Sequence, residues 1–105
     1  MSVVDRVLEA LNTKDVDAFV ACYADDATIE DGDDRVLVRG HAQLRERYGP
    51  MFERYPQLRV EGGRRIEAGA FVVQDETVTG RGDPEHHVAV YKLANDLIVR
   101  ERLLA

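Results

Sequence analysis

The sequence predicts a single α+β domain over residues 1–105, with three helices packed on one face of a curved antiparallel sheet. Two observations support this fold class. Apolar residues recur at helical spacing in three stretches of the first half, and the second half consists of strand-like stretches joined by short turns. Strands that follow one another through such short turns pair antiparallel. A chain of 105 residues is also long enough to bury a core of its own.

Three helices are predicted from capping residues and apolar spacing. Ser2 is a suitable N-cap for the first helix, and Asp15 is a suitable N-cap for a second helix that buries Phe19 and Tyr23. A third helix is predicted over residues 41–55, where apolar residues again follow the helical period. Each helix has an apolar face that needs to cover another element, and the sheet provides that element.

Six strands are predicted, two before the third helix and four after it. The first covers residues 27–31, a turn follows around Gly32, and a short strand covers residues 35–39. Two adjacent glycines, Gly62 and Gly63, predict a bulge in the first of the later strands. The four later strands cover residues 58–68, 70–80, 85–94 and 97–104.

The charge of the chain excludes one large class of partners. The net charge is −6, and nucleic-acid binding depends on clustered Lys and Arg side chains that neutralise phosphates. Basic residues instead alternate with acidic ones, as in Arg100-Glu101-Arg102, and such alternation is typical of a solvated face. We therefore expect no nucleic-acid partner.

The cysteine count and the length of the apolar runs limit the remaining classes of protein and of partner. Cys22 is the single cysteine, so the chain forms no internal disulfide and has no cysteine–histidine set with zinc spacing. No apolar run approaches the roughly 20 residues of a membrane-spanning helix. The N-terminal residues are acidic and amphipathic, unlike a signal peptide. We expect a cytoplasmic protein that has no membrane partner, binds no metal and needs no cofactor.

Four short motifs and one glycine point to a known family. The motifs are residues 10–12 (ALN), 15–19 (DVDAF), 23–31 (YADDATIED) and 91–98 (YKLANDLI). Together with Gly40 and the helix that follows it, they resemble the nuclear transport factor 2-like superfamily in its SnoaL-like and ketosteroid isomerase-like branch. The resemblance covers nearly the whole chain. It implies helices that close a conical pocket against the concave face of the sheet, and a homodimer.

The resemblance places the ketosteroid isomerase general base on Asp31. Strand alternation puts Asp31 on the same face as Ile29, towards the pocket, where burial would raise the pKa of its carboxyl group. The alternative is a carboxylate at the strand end that accepts hydrogen bonds from the turn around Gly32. The two oxyanion donors of that enzyme do not carry over, because their positions fall on Val7 and about Ala89. Steroid isomerisation is therefore not expected.

Two further residues are candidates for catalysis. His86 and His87 are adjacent in a strand and face opposite ways, and His87 shares its face with Ala89 and Tyr91. His87 would be a partner acid for the general base or a neutral donor to a developing oxyanion. The alternative is an exposed histidine at the rim. Tyr23 offers a hydroxyl donor for the same oxyanion.

Two functional hypotheses follow. The first is a cofactor-independent isomerase, dehydratase, cyclase or hydrolase that acts on a small apolar molecule carrying a carbonyl, hydroxyl or epoxide. The second is a non-catalytic dimeric module for ligand binding or assembly, which the missing oxyanion donors favour. Either protein would pair through the outer sheet face, where Val88 and Val90 need cover. The residues expected to line the cavity are Val7, Leu11, Phe19, Tyr48, Phe52, Val73, Ala89 and Tyr91.

Overall fold

The computed structural model describes residues 1–105 and contains three helices and six strands. In chain order they are α1 (Val3–Asn12), α2 (Val16–Ala21), β1 (Tyr23–Asp31), β2 (Val36–Arg39), α3 (Gly40–Arg54), β3 (Arg59–Ala68), β4 (Phe71–Thr79), β5 (Glu85–Ala94) and β6 (Leu97–Leu104). The predicted α+β fold is confirmed, with the helices packed on one face of a curved sheet.

The N-caps predicted for α1 and α2 are present. The Ser2 hydroxyl accepts a hydrogen bond from the Asp5 amide at 3.3 Å, and the Asp5 carboxylate accepts one from the Ser2 amide at 3.2 Å. This reciprocal pair is a capping box. The Asp15 carboxylate accepts a hydrogen bond from the Ala18 amide at 3.0 Å. Both caps satisfy amides that have no partner within the helix, so they fix where the helices begin.

Tyr23 belongs to β1, so the prediction that the second helix extends to Tyr23 is wrong. The helix ends at Ala21, and the carbonyl of Cys22 already accepts a hydrogen bond from the Ile98 amide at 2.9 Å. Pairing with β6 therefore takes the chain into the sheet directly after the helix. The Tyr23 ring still packs against Phe19, with the ring centroids 5.3 Å apart.

The long helix α3 packs on the same face of the sheet as α1 and α2. It buries Leu44, Tyr48 and Phe52, which are spaced four residues apart and share one face. Pro50 lies inside the helix on its exposed side, where water can bind the Glu46 carbonyl that loses its helical partner. None of the three helices is long and apolar enough to cross a membrane.

The six strands form one sheet in the order β2-β1-β6-β5-β4-β3. The last four strands form the predicted antiparallel meander, with the predicted bulge between Gly62 and Arg65. β1 pairs with β6 in parallel, so the expectation of an entirely antiparallel sheet is wrong at this pair. A parallel pair needs a long crossover connection, which the segment from β2 to β5 provides.

The concave inner face of the sheet carries the core. One register row crosses five strands through Val72, Tyr91, Glu101, Ile29 and Val38. All five residues are buried against the helices. Glu101 is the only one of these five buried residues with a carboxyl group, so the folded chain places that group among apolar and aromatic neighbours.

The outer face carries a charged cluster beside this row. Glu30 accepts hydrogen bonds from Arg100 at 2.9 Å and from Arg102 at 3.1 Å. The hydrogen bonds from Arg100 lower the pKa of Glu30 to about 2, and those from Arg102 add to the effect. The two arginines therefore point outward while Glu101 between them points inward. The prediction of a solvated face for this segment is wrong for Glu101.

A glycine at the end of β4 allows two chain segments to approach closely. Gly80 has a φ of +90°, and a Cβ atom there would lie 2.0 Å from the carbonyl oxygen of Gln57 and 2.7 Å from the amide of Leu58. Those atoms belong to the backbone and cannot move aside. Gly69 also has a positive φ, of +58°, but a Cβ atom there would meet nothing within 4 Å.

We predict that Gly80→Ala lowers the free energy of unfolding by more than about 3 kcal/mol, because it adds a backbone clash to the cost of a left-handed residue. Gly69→Ala is the matched control and should lose only about 1 kcal/mol from the backbone conformation. Urea denaturation measures both. Equal losses for the two variants would contradict the close approach at Gly80.

Candidate functional site

A cavity lies between the inner face of the sheet and the helices. Its volume is about 110 Å³, and 12 of its 17 lining residues are hydrophobic. Seven residues predicted from the sequence lie in its wall: Val7, Leu11, Phe19, Tyr23, Tyr48, His87 and Tyr91. Helices α1, α2 and α3 supply the aliphatic and aromatic side, and the strands supply most of the polar groups.

Three residues that were predicted to line the cavity lie elsewhere. Phe52 is buried behind the wall and meets Phe19 edge to face, with the centroids 5.7 Å apart. Ala89 is fully buried on the inner face opposite Gln74, and it does not reach the cavity. The prediction for Val73 is wrong, because alternation along β4 turns Gln74 inward and Val73 to the outer face.

Asp31 also lies outside the cavity, so the expectation that its carboxylate faces the pocket is wrong. The carboxylate accepts hydrogen bonds from the backbone amides of Asp33 at 2.8 Å and Arg35 at 3.0 Å. These backbone hydrogen bonds lower the pKa of Asp31, and the Arg35 guanidinium at 3.9 Å contributes in the same direction. The turn holds Asp31 as an ionised group outside the apolar cavity, which is the alternative weighed from the sequence.

The structure brings a different carboxylate, Glu76, to His87. The two residues are opposite each other in the β4–β5 pair, and His87 Nε2 lies 2.8 Å from Glu76 Oε1. The other oxygen, Oε2, accepts hydrogen bonds from the Tyr91 hydroxyl at 2.7 Å and from the Gln74 amide at 2.9 Å. Glu76 is buried, and three groups surround its carboxyl, so its position is closely defined.

Glu101 is the second buried carboxyl in the cavity wall. Its Oε1 accepts a hydrogen bond from the Tyr23 hydroxyl at 2.5 Å. Burial raises the pKa of Glu101 to about 7, and the negative charge of Glu76 adds to this effect. The hydrogen bond from Tyr23 opposes it. Burial also raises the pKa of Tyr23 well above its ordinary value, so the phenol remains a donor.

Apart from the Arg47 guanidinium at the mouth, three polar side-chain atoms of the lining residues have no hydrogen-bond partner in the protein. They are the Tyr48 hydroxyl, Glu101 Oε2 and His87 Nδ1. The one fully buried side-chain nitrogen or oxygen that lacks a partner is Arg102 Nε, on the outer face. The three wall atoms are therefore accessible, and they belong to residues that line the cavity. A ligand in the cavity would meet a phenol, a carboxyl oxygen and an imidazole nitrogen among apolar walls.

Exposed and half-buried residues mark the mouth of the cavity. Arg47 and Met51 come from α3, and Arg81 follows β4. Arg81 is held by Glu85 through two hydrogen bonds of 2.6 and 3.0 Å, and it also contacts the Met51 sulfur at 3.2 Å. The mouth thus carries two guanidinium groups, of which Arg81 is paired with Glu85, while Glu76 and Glu101 lie inside.

Sequence reasoning missed Glu76 and Glu101. Glu76 carries a signal, because it occupies an inward position on β4, on the same face as Val72 and Val78. The sequence around Glu101 gives a misleading signal about which face its side chain occupies. A bulge between Ile98 and Arg100 breaks the alternation, so counting by twos from the buried Ile98 turns Glu101 outward.

The sequence comparison identifies the family. Residues 4–101 match the SnoaL-like domain family, and the chain belongs to that family. The resemblance predicted from the motifs is thereby confirmed. No curated protein matches the sequence.

Solved structures share the whole fold. The chain is similar to an uncharacterised cystatin-fold protein from Novosphingobium aromaticivorans, with 28% identity over 100% of this chain and 99% of that chain and a TM-score of 0.91. An NTF2-like protein of unknown function from Cytophaga hutchinsonii is 19% identical over 96% and 84%, with a TM-score of 0.76. An LEH-like epoxide hydrolase from M. tuberculosis is 22% identical over 97% and 78%, with a TM-score of 0.81.

We predict that Glu101→Gln stabilises the protein at alkaline pH. The folded-state pKa of Glu101 is about 7, above the ordinary 4.5. Ionisation is therefore harder in the folded chain, and stability falls as pH rises from the ordinary value through about 7. Removing the charge should raise the free energy of unfolding by up to about 3 kcal/mol near pH 8 and by little near pH 5.

Urea denaturation at the two pH values measures the effect. Glu67→Gln is the matched control, because Glu67 lies at the exposed end of the same register row. It should leave the pH dependence unchanged. If Glu101→Gln and the parent protein show the same pH dependence, the carboxyl group is not held in the unfavourable environment described.

Proposed function

We propose that this protein is a cofactor-independent enzyme that exchanges a proton between Glu101 and a small molecule carrying a carbonyl, hydroxyl or epoxide oxygen. One observation carries the proposal. Glu101 is a buried carboxyl with a pKa of about 7 and one oxygen accessible from the cavity. A group with that pKa exists in both protonation states near neutral pH, which is what general acid–base catalysis requires.

The other wall groups fit the same chemistry. The Tyr48 hydroxyl is a free donor, and its pKa is raised by burial, so it can stabilise negative charge on a substrate oxygen without losing its proton. His87 is the second proton-transfer group, held in place by Glu76. Tyr23 holds Glu101 in place rather than meeting the substrate. The apolar walls strengthen these interactions because they exclude water.

The size of the cavity limits the substrate. An engineered cavity of about 150 Å³ holds one benzene molecule, and the cavity here measures about 110 Å³. A substrate of one small ring or a short chain fits, with its remainder at the mouth. A four-ring steroid does not fit. The fold shared with an epoxide hydrolase makes small epoxides a reasonable class to test beside carbonyl compounds.

A non-catalytic ligand-binding module is the second candidate. The observation that favours it is the state of Asp31, where the family resemblance placed the base and where the turn instead holds an ionised carboxylate away from the cavity. The two candidates separate in one experiment, because a binding module would retain its ligand unchanged.

We predict that Glu101→Gln lowers kcat at least about 100-fold on any substrate that the wild-type protein turns over, since it removes the proton-transfer group. Tyr48→Phe should lower kcat about 10-fold through loss of one donor. Small carbonyl compounds and epoxides that raise the melting temperature would be assayed for turnover. Asp31→Asn is the matched control and should retain kcat within about twofold.

The pH profile adds a second measurement to that experiment. It should contain one limb with a midpoint near 7 that is missing from the residual activity of Glu101→Gln. The groups that face Glu101 are Tyr23, Tyr48, Tyr91, Glu76 and His87. Full activity in Glu101→Gln would refute the catalytic proposal, and binding without turnover would support the ligand-binding module.

We also propose that two copies of the chain pair through the outer sheet face. Ile66, Val73 and Val90 form one apolar row across β3, β4 and β5, and the Ile66 side chain is the most exposed of the large aliphatic residues inside the strands. Phe71 and Leu104 lie on the same face and are also exposed. A contiguous apolar surface of this kind needs cover, and a second copy offers the matching surface.

We predict that Ile66→Lys shifts the protein to a monomer at micromolar concentration, because it places a charge in the apolar row. Size-exclusion chromatography with light scattering measures the mass. Glu67→Lys is the matched control, since its side chain lies on the opposite face of the same strand. A monomeric wild-type protein under these conditions would exclude the dimer.

A further inference from the structure

A chain of hydrogen bonds runs from the surface of α1 into the cavity. Asp5 Oδ1 accepts a hydrogen bond from Arg65 Nη2 at 2.6 Å, and Arg65 Nε donates to Gln74 Oε1 at 2.8 Å. Gln74 Nε2 donates to Glu76 Oε2 at 2.9 Å. The chain crosses β3 and β4 and ends at the carboxylate that contacts His87. Neither Asp5 nor Arg65 lines the cavity.

The direction of donation along this chain is fixed at Arg65. A guanidinium group has only donors, so Gln74 must turn its oxygen towards Arg65 and its NH₂ group towards Glu76. The backbone of Gly62 packs against the Gln74 amide. A Cβ atom at Gly62 would lie 2.8 Å from the Gln74 amide, so the amide packs directly on that glycine. The packing thus keeps the Gln74 amide in this position, and Arg65 determines which end of it carries the oxygen.

The fixed amide determines where the proton lies between Glu76 and His87. Glu76 Oε2 accepts from Gln74 and from the Tyr91 hydroxyl, which leaves no place for a proton on Oε2. The remaining oxygen, Oε1, faces His87 Nε2. An imidazole is a stronger base than a carboxylate, so the proton between them lies on Nε2. In the neutral imidazole, Nδ1 then carries a lone pair directed away from Glu76.

We propose that Arg65 and Gln74 are positioning residues that hold His87 as the Nε2–H tautomer, so that the site accepts a proton at His87 Nδ1 and donates one from Glu101 Oε2. The Tyr23 hydroxyl occupies Glu101 Oε1, so the proton of the neutral acid lies on Oε2. This assignment deepens the proposed function, on which its catalytic meaning rests. The tautomer itself does not depend on turnover.

The assignment defines the class of substrate. The molecule presents an acidic C–H or O–H group to Nδ1 and a carbonyl oxygen to Glu101 and Tyr48. For a carbon acid, the proton moves from carbon to Nδ1, and the C–H electron pair becomes a carbon–carbon π bond. The carbonyl π pair takes the proton of Glu101, so the product of this step is an enol. Small hydroxyketones and other enolisable carbonyl compounds meet these requirements.

The test uses the Glu76→Gln variant, in which the direction of the hydrogen bonds determines the tautomer of His87. With Gln74 fixed, the new amide must turn its oxygen to Gln74 and Tyr91 and its NH₂ group to His87. His87 Nε2 then has to accept, and the proton moves to Nδ1. The tautomer should therefore reverse. Two-bond ¹H–¹⁵N correlation spectra of the ¹⁵N-labelled protein near pH 7.5 distinguish the two tautomers, and a His87→Gln variant identifies the signals of His87.

A second substitution tests whether Arg65 sets the direction. In Glu76→Gln combined with Arg65→Met, Gln74 is free to turn over, so the His87 signals should move to intermediate positions that report a mixture of tautomers. Arg64→Met is the matched control, because Arg64 is the neighbouring exposed residue on β3. Combined with Glu76→Gln, it should leave the reversed tautomer unchanged.

Each outcome is decisive. An Nδ1–H tautomer in the wild-type protein overturns the proposal without any variant, so failure of Glu76→Gln to fold would not remove the test. An unreversed tautomer in Glu76→Gln also overturns the proposal. If the spectra of Glu76→Gln are identical with and without Arg65→Met, Arg65 does not set the direction of the hydrogen bonds. Because the spectra are recorded without substrate, a protein with the expected tautomers and no turnover refutes the proposed function alone.

Discussion

Two carboxyl groups buried in one apolar cavity are the constraint around which this structure is built. An unpaired buried carboxylate costs several kcal/mol, so each group needs donors from its own surroundings. Glu76 is hydrogen-bonded by three side chains, those of Tyr91, Gln74 and His87. Glu101 accepts only one hydrogen bond, from the Tyr23 hydroxyl. Glu101 is therefore the less well solvated of the two carboxyl groups, and poor solvation favours the neutral acid.

The topology explains how Tyr23 reaches Glu101. The parallel pairing of β1 with β6 brings the start of β1 beside the last strand of the sheet, although 78 residues separate Tyr23 from Glu101. The short helix α2 ends where this pairing begins. The β1–β6 pair therefore contributes to the chemistry of the cavity as well as to the closure of the sheet.

Local signals in the sequence predicted most of the fold and part of the site. The caps at Ser2 and Asp15 and the glycine bulge in β3 each depend on a few neighbouring residues, so the local sequence is enough to predict them. The site depends on longer-range facts. The inward position of Glu101 follows from a bulge that no glycine or proline marks. Asp31 lies outside the cavity because backbone amides of the turn donate hydrogen bonds to its carboxylate. Strand alternation alone determines neither of these positions.

The alternation of charge in β6 also specifies how this strand pairs. Arg100 and Arg102 face outward to Glu30, and Glu101 faces inward to Tyr23. A shift of one residue would turn both guanidinium groups into the apolar core and would carry Glu101 out to the surface. Every alternative register of that kind would bury two unpaired positive charges. A triplet that looks like ordinary surface sequence thus acts against misfolding of the central strand.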